Sequence, residues 1–221
     1  MIERGAPWGE PVAGIRPRVV DGDDAALAAA LEASSPQDLF VYRPDEPSDF
    51  ARCLGLGDGS PRGNAEPMQA LPVDLLAVEG LGVAVNAVVI GAPPDRIRWT
   101  TPSFAITVEI DGRPAMAAAG QTVVVASGQF VRGCDVVPRG HPGDGWAEVQ
   151  VYAMPRGQRA EMRRRLVQGG HVPHPGIEQR RGRELVVRTS RPVPVTIDGL
   201  PRGRAREIVV TVRRPPGRIV V

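Results

Sequence analysis

The feature that most constrains this chain is a series of short apolar runs, each broken by Gly or Pro, from about residue 71 to the end. The 221 residues include 26 Gly and 23 Pro. This spacing predicts many short strands joined by tight turns rather than a helical fold. One helix is predicted among them, at 156–168, because Met162 and Leu166 are spaced i, i+4. The predicted strands are Val73–Val78, Gly82–Ile90, Phe104–Ile110, Ala115–Ala126, Ala147–Tyr152, Glu184–Thr189, Val193–Ile197 and Glu207–Arg213.

The first third of the chain has a different pattern. It predicts a strand at 16–20, a helix at 25–34 after an Asp-rich cap, a buried strand at 38–42 and a short helix at 48–54. A polar, Gly-rich stretch at 55–67 reads as a linker. We therefore expect an α+β protein: a reduced α/β segment at 1–67, followed at 68–221 by a large β-sandwich-like domain with one or two helices.

Composition excludes several classes of function. The formal net charge is only +2, which argues against a nucleic-acid binder with a concentrated basic face. All 27 basic residues are Arg, so a phosphate loop that depends on Lys is excluded. No apolar run is long enough to span a bilayer, and the N-terminus lacks the pattern of a signal peptide, which predicts a cytoplasmic protein. Cys53 and Cys134 are expected to be free buried thiols.

Two Asp-Gly turns could carry chemistry. Asp144 opens a strand; its carboxylate either caps its own turn or ligates Mg²⁺ or Ca²⁺ with nearby carbonyls. Asp198 either closes a hairpin or acts as a general base. His171 and His174 have no acidic or thiol neighbour close in sequence, so we predict a proline-stiffened surface loop there rather than a metal pair.

The segment YRPDEPSDFARCLGL, residues 42–56, predicts a capped loop. It has no glycine near Asp45 and Glu46, so its backbone amides cannot approach a phosphate closely. Its acidic groups would also repel an anion.

Three motifs, taken in order, resemble the diacylglycerol kinase and sphingosine kinase superfamily of lipid kinases, mainly its C-terminal domain. They are VDLLAVEGLGVAVNAVVIG at 73–91, the run from VEIDGRPAM to GHPGDGWAEVQVY at 108–152, and RPVPVTIDGL with EIVVTVRRPPGRIVV at the end. HVPHP at 171–175 also resembles short actinobacterial proteins of that superfamily.

The resemblance implies site residues. Asp198 matches the family's base, and Asp144 matches its Mg²⁺-binding Asp, with main-chain ligands near His141 and Trp146. Asp49 and Asn86 match positions that contact the nucleotide cofactor. In the family, the γ-phosphate of ATP passes to a lipid hydroxyl.

The resemblance also implies partners: a lipid or small apolar ligand, transient contact with a membrane surface, and a homodimer.

The chain departs from the family at its nucleotide loops. It has no Gly-Gly-Asp-Gly loop, and the second loop, Gly-Thr-Gly-Asn-Asp-Phe-Ala-Arg in the family, keeps only residues 49–52. Leu200 replaces an acidic residue. These departures predict poor ATP binding and favour a non-catalytic or regulatory relative, a pseudokinase. The alternatives are an active lipid kinase whose nucleotide site is completed by a second chain, and an assembly module that dimerises through sheet edges.

Overall fold

The structure is a computed structural model that describes residues 9–12, 14, 16–56 and 68–221. Most of the linker predicted at 55–67 lies outside the described residues, and the domain boundary at residue 67 stays a prediction. The described helices are α1 (Asp24–Glu32), α2 (Asp49–Cys53), α3 (Arg159–Leu166) and two 3-10 turns at Pro94–Arg96 and Arg156–Gln158. The strands are β1 (Glu10–Pro11), β2 (Arg18–Gly22), β3 (Leu39–Pro44), β4 (Gln69–Pro72), β5 (Leu75–Val78), β6 (Gly82–Ala84), β7 (Ala87–Gly91), β8 (Phe104–Ile110), β9 (Arg113–Gly120), β10 (Thr122–Ala126), β11 (Phe130–Val131), β12 (Cys134–Asp135), β13 (Ala147–Tyr152), β14 (Ile177–Gly182), β15 (Glu184–Ile197), β16 (Leu200–Arg213) and β17 (Arg218–Val220).

The larger sheet has ten antiparallel strands. Its main order is β14-β13-β10-β7-β15-β16-β5-β6, and β8 and β9 extend it from β15. The 14-residue strand β15 connects these parts, because its first half pairs with β8 and its second half pairs with β7. Between the two halves, the pairing of β15 with β16 shifts its register. The sheet therefore bends over an apolar core that includes Leu76, Ile90, Ile106, Val123 and Leu185. This arrangement confirms the predicted α+β, sandwich-like fold.

The smaller sheet joins the two ends of the chain. Its order is β1-β4-β17-β3-β2, so the C-terminal strand β17 lies at its centre, parallel to β3 and antiparallel to β4. The helices α1 and α2 contribute Leu27, Leu31 and Phe50 to the core of this sheet, where they meet Phe40 and Ile219. Helix α1 also contacts β6 of the larger sheet.

Two long predicted strands are each interrupted. The strand predicted at Gly82–Ile90 stops at Ala84 and resumes at Ala87, because the N–H groups of residues 85–87 turn towards the carboxylate of Asp198. The strand predicted at Ala115–Ala126 turns a corner at Gln121, whose N–H donates to the Tyr152 carbonyl. The prediction of continuous strands was wrong at both places.

Other predictions need smaller corrections. The two strands predicted at Glu184–Thr189 and Val193–Ile197 form the single bent strand β15. The helix predicted at 156–168 begins with a 3-10 turn and becomes α-helical only at Arg159. Six strands were not predicted: β1, β4, β11, β12, β14 and β17. The hairpin turns at Asp111 and Asp198 are confirmed; both residues have the positive φ that such turns require.

We predict that the centre of the small sheet is critical for stability. Ile219 on β17 is fully buried, so Ile219→Ala should lower the free energy of unfolding in urea by about 2–5 kcal/mol. Val19→Ala on the edge strand β2 is the matched control, because 46% of Val19 is exposed; its effect should stay within about 0.5 kcal/mol. Equal effects of the two changes would contradict the position assigned to β17.

Candidate functional site

A cleft of about 850 Å³ lies between the smaller and the larger sheet. One wall is formed where the parallel strands β2 and β3 end and the helices α1 and α2 begin. The opposite wall comes from β7, the 131–132 segment and the β15–β16 turn. Ligands of open α/β sheets bind at such carboxyl ends of parallel strands. The lining includes Gly22, Asp23, Asp24, Ala26, Asp45, Glu46, Pro47, Ser48, Asp49, Asn86, Ala87, Val89, Pro93, Val131, Arg132, Thr196, Asp198, Gly199 and Leu200.

Asp198 lies in this cleft at the tip of the β15–β16 hairpin. Its carboxylate accepts three backbone hydrogen bonds, from the N–H groups of Val85, Asn86 and Ala87, at 2.8, 3.1 and 2.8 Å. The Asp198 N–H donates in turn to the Ala87 carbonyl. The carboxylate thus holds the break between β6 and β7 in place.

Burial of this carboxyl group sets its acidity. Burial raises the pKa of Asp198 to about 7, while the three backbone donors favour the charged form and limit the rise. The nearby Asp24 carboxylate adds to the rise because two negative charges oppose each other. Asp198 therefore exchanges its proton near neutral pH.

Asp49 lines the cleft, and its carboxylate accepts hydrogen bonds from the backbone of the chain itself. Its carboxylate accepts the N–H groups of Arg132 and Gly133, the latter at 2.8 Å, in the tight turn that joins β11 to β12. Both turn residues have positive φ. The Arg52 guanidinium donates to the Gly133 carbonyl and lies over the Phe130 ring. Helix α2 is thereby fixed to the β11–β12 hairpin, which forms a separate two-stranded sheet.

Backbone N–H groups in the first turns of α1 and α2 also have hydrogen-bond acceptors within the protein. Asp23 caps α1 by accepting the Ala26 N–H at 2.9 Å, and Ser48 caps α2 by accepting the Ala51 N–H. The Asp24 carboxylate accepts the hydroxyls of Tyr42 and Ser48, and burial raises its pKa. These groups use the helix ends where an anionic ligand would otherwise bind.

The lining is strongly acidic. It contains Asp23, Asp24, Asp45, Glu46, Asp49 and Asp198. Arg132 is the basic residue among the described lining residues, and its guanidinium is paired with Asp95 at 3.0 Å. A negative ligand would therefore meet acidic groups with no unpaired cation among them.

Of the two polar atoms in the Asn86 side chain, one has a hydrogen-bond partner and the other has none. Its side-chain amide donates to the Phe130 carbonyl at 2.9 Å. Its Oδ1 is buried without a hydrogen-bond partner and lies against Gly128, where an added Cβ would be 2.1 Å away. Asn86 thus joins β7 to the 128–130 segment at the cleft wall.

The loop at 140–146 is where the resemblance implies Mg²⁺. The Asp144 carboxylate accepts the Trp146 N–H at 3.0 Å, which is the self-capping turn considered from sequence. The His141 ring accepts the Gly143 N–H. The Gly143 carbonyl accepts from the guanidinium of Arg214 at 2.6 Å.

The guanidinium of Arg214 already holds Asp74 Oδ1 and the Gly143 carbonyl, so a divalent cation does not fit between these two oxygens without displacing it. The ligands that the resemblance implies, Asp144 and the main chain near His141 and Trp146, stay a prediction. Within the part of the chain that the structure describes, no three His, Cys, Asp or Glu side chains are grouped to hold a metal.

His171 corrects another prediction. The stretch at 169–176 was expected to be a surface loop, but His171 is buried and its Nε2 lies 3.2 Å from the Tyr152 hydroxyl. Burial lowers the pKa of His171, so the neutral ring is favoured. Cys53 and Cys134 are free, as predicted, although both are only half-buried.

Sequence reasoning missed Asp74 and Arg214, which form an ion pair at 3.0 Å. The two residues are far apart in the sequence, and neither lies in a motif with a chemical signature. It also missed Asp24 as a cleft residue. The Asp-rich helix cap was visible in the sequence, but its position opposite Asp198 depends on how the two sheets pack.

Comparison with known proteins identifies the family and the fold of the chain. Residues 96–221 match the family model described as the YegS C-terminal NAD kinase beta sandwich-like domain. This match covers more than half of the chain, and the chain therefore belongs to that family. None of the curated proteins compared with the chain matches it.

The fold is also found in solved structures. A diacylglycerol kinase from Bacillus anthracis str. Sterne has a TM-score of 0.70 and 16% identity, with 91% of this chain and 74% of that chain covered. Yeast NADH kinase complexed with NADH has a TM-score of 0.51 and 12% identity, with 91% and 60% covered. At these identities the likeness shows the fold alone, which is that of diacylglycerol kinase-like and NAD kinase-like proteins.

We predict that the Asp198 carboxyl titrates with a midpoint of about 7 in a ¹³C carboxyl NMR experiment. Asp38 is an internal control, because hydrogen bonds from Ser35 lower its pKa. Since the folded-state pKa of Asp198 lies above its unfolded value of about 4, the folded state binds this proton more tightly. This group should therefore lower the free energy of unfolding as the pH rises from about 4 to about 7, by at most about 1.4 kcal/mol per pH unit. A midpoint near 4 would contradict the burial described here.

Proposed function

We propose that this chain is a non-catalytic or regulatory relative of the diacylglycerol kinases that binds a lipid or small apolar ligand and does not use ATP. One observation carries the proposal: carboxylates that line the cleft accept backbone N–H groups of residues that line or adjoin it. Asp198 accepts from residues 85–87, Asp49 from residues 132–133, and Asp23 from the first turn of α1.

These carboxylates oppose a triphosphate in two ways. Phosphates are bound by backbone N–H groups and cations, and these donors already have acceptors. Each carboxylate also repels an approaching phosphate; two unit charges 4 Å apart interact by about 1 kcal/mol in water and about 4 kcal/mol near a protein surface. Several such charges in one cleft exceed what a single paired arginine, Arg132, could offset.

The same lining supports a different ligand class. The lining also includes apolar residues: Ala87, Val89, Pro93, Val131 and Leu200. Apolar lining residues beside acidic ones suit a molecule with a hydrocarbon part and a neutral or positively charged polar end. Under this proposal, a diacylglycerol-like alcohol fits better than a phosphorylated lipid.

We predict no phosphate transfer by the pure protein. With radiolabelled ATP, Mg²⁺ and diacylglycerol in mixed micelles, product formation should equal that of a sample without protein, because the triphosphate is not held. An active diacylglycerol kinase in the same micelles is the positive control. Transfer that rises in proportion to protein concentration would contradict the proposal.

The second candidate function is an active lipid kinase whose nucleotide site is completed by another chain. The observation in its favour is Asp198, a cleft carboxyl with a pKa of about 7, which suits a general base at neutral pH. If transfer is detected, Asp198→Asn should abolish it, whereas Asp38→Asn, outside the cleft, should not. Melting curves of both variants separate loss of the base from loss of the fold.

Transient contact with a membrane surface is supported by Trp99. Its side chain is 62% exposed, and the loop beneath it is fixed. The guanidinium of Arg159 donates to the carbonyls of Arg98, Trp99 and Thr101. Arg163 donates to the Ile97 carbonyl. The indole is therefore held outwards rather than turned into the core.

The surroundings of Trp99 suit an anionic bilayer. Arg98 and Arg156 are exposed beside it, and the Arg156 guanidinium lies 5.9 Å from the ring centre. Trp is favoured at the headgroup level of bilayers, and each Arg near an anionic surface contributes about 1 kcal/mol. Among the described helices, none is both long and apolar enough to cross a membrane.

We predict that Trp99→Ala reduces binding to anionic phosphatidylglycerol vesicles several-fold in a sedimentation assay. Met68→Ala is the control, because Met68 is also an exposed apolar residue and directly precedes β4 of the smaller sheet. Neutral phosphatidylcholine vesicles should bind neither variant nor the unchanged protein. Equal binding of Trp99→Ala and the unchanged chain would contradict this contact.

The remaining expectations stay predictions: a homodimer formed through sheet edges, no nucleic-acid partner, and a cytoplasmic location.

A further inference from the structure

A fully buried carboxylate lies beneath the 140–146 loop. The side chain of Asp74 is 0% exposed, and the residue lies between β4 and β5. Its N–H donates to the Pro142 carbonyl at 2.7 Å, and its Oδ2 accepts the Gly145 N–H at 2.6 Å. A buried negative charge is costly unless a positive charge and hydrogen bonds compensate it.

The compensating charge is the guanidinium of Arg214. Its Nε donates to Asp74 Oδ1 at 3.0 Å, and another nitrogen of the same group donates to the Gly143 carbonyl at 2.6 Å. A carboxylate oxygen and a main-chain carbonyl of a tight loop are the donor types that a hard divalent cation takes. In this structure, the Arg214 side chain bridges the Asp74 carboxylate and the Gly143 carbonyl.

The rest of the loop is satisfied from within. The Asp144 carboxylate accepts the Trp146 N–H, and the His141 ring accepts the Gly143 N–H. The backbone of the loop is therefore fixed by Asp74, Arg214 and its own turn. The loop ends where β13 begins, at Ala147.

We propose that Arg214 is the resident cation of this loop and takes the place of a divalent metal ion. The chain thereby holds the 140–146 loop in place without a metal, whereas the resemblance to lipid kinases implied Mg²⁺ at the same loop. The proposal rests on the Asp74–Arg214–Gly143 geometry and is independent of whether the chain transfers phosphate.

The position of Arg214 gives this replacement a structural consequence. Arg214 follows the last residue of β16, where the chain leaves the larger sheet, and β17 begins four residues later in the smaller sheet. The ion pair therefore fixes the crossing segment to the loop before β13. Losing it should loosen both the loop and the path of the chain into β17.

The test compares melting temperatures in EDTA and in millimolar Mg²⁺ or Ca²⁺. The unchanged protein should melt at the same temperature in all three solutions. Arg214→Ala should melt several degrees lower in EDTA, because Asp74 is left buried without a cation. Either metal should raise the melting temperature of this variant, since a ligand bound only by the folded state stabilises it. Arg213→Ala is the matched control, an exposed arginine one residue away, and should show neither effect.

Three results would overturn the proposal: a rise in the melting temperature of the unchanged protein with metal, equal melting of the Arg214→Ala and Arg213→Ala variants, or no response of Arg214→Ala to either metal. If Arg214→Ala does not fold in EDTA, Arg214→Gln takes its place. The glutamine amide can still donate to Gly143 but carries no charge, so its melting temperature should respond to metal in the same way.

Discussion

The position of β17 at the centre of the smaller sheet is the constraint on which the rest of the structure depends. The chain leaves the larger sheet after Arg213 and adds Arg218–Val220 between β3 and β4. This crossing ties the first third of the chain to the larger sheet, and Ile219 then packs against Phe40 in the shared core. Together with the crossing, the contacts of Asp49 and Arg52 with the β11–β12 turn and of α1 with β6 hold the two helices at the cleft.

The chemistry of the cleft follows from how its own carboxylates are used. Asp198, Asp49 and Asp23 each accept backbone N–H groups at the cleft. These bonds stabilise the strand break, the β11–β12 turn and the first turn of α1, so the same residues that shape the cleft also make it acidic. Our proposal that the cleft does not hold ATP rests on this acidity. At the 140–146 loop, the guanidinium of Arg214 contacts both Asp74 and the Gly143 carbonyl, and under our proposal it supplies the positive charge there in place of a metal ion.

Local features of the fold could be predicted from sequence, and non-local ones could not. The Asp-Gly hairpins at 111 and 198 and the caps at Asp23 and Ser48 depend on neighbouring residues, and all four were visible. The placement of β17 depends on pairing with strands far away in sequence, and its three residues carry no strong pattern. At the site, Asp198 was identified by resemblance, but its three backbone partners lie more than a hundred residues away. The Asp74–Arg214 pair left no local signal for the same reason.

The proposed function depends on one property of the cleft: its carboxylates keep a triphosphate from binding. A calorimetric titration of Mg-ATP into the unchanged protein and into an Asp45→Asn/Glu46→Gln variant tests it most directly, because these two lining residues can lose their charge without disturbing the bonds that shape the cleft. We expect no measurable heat of binding for the unchanged protein and weak, salt-sensitive binding for the variant. Saturable binding of Mg-ATP to the unchanged protein at micromolar concentration would contradict it.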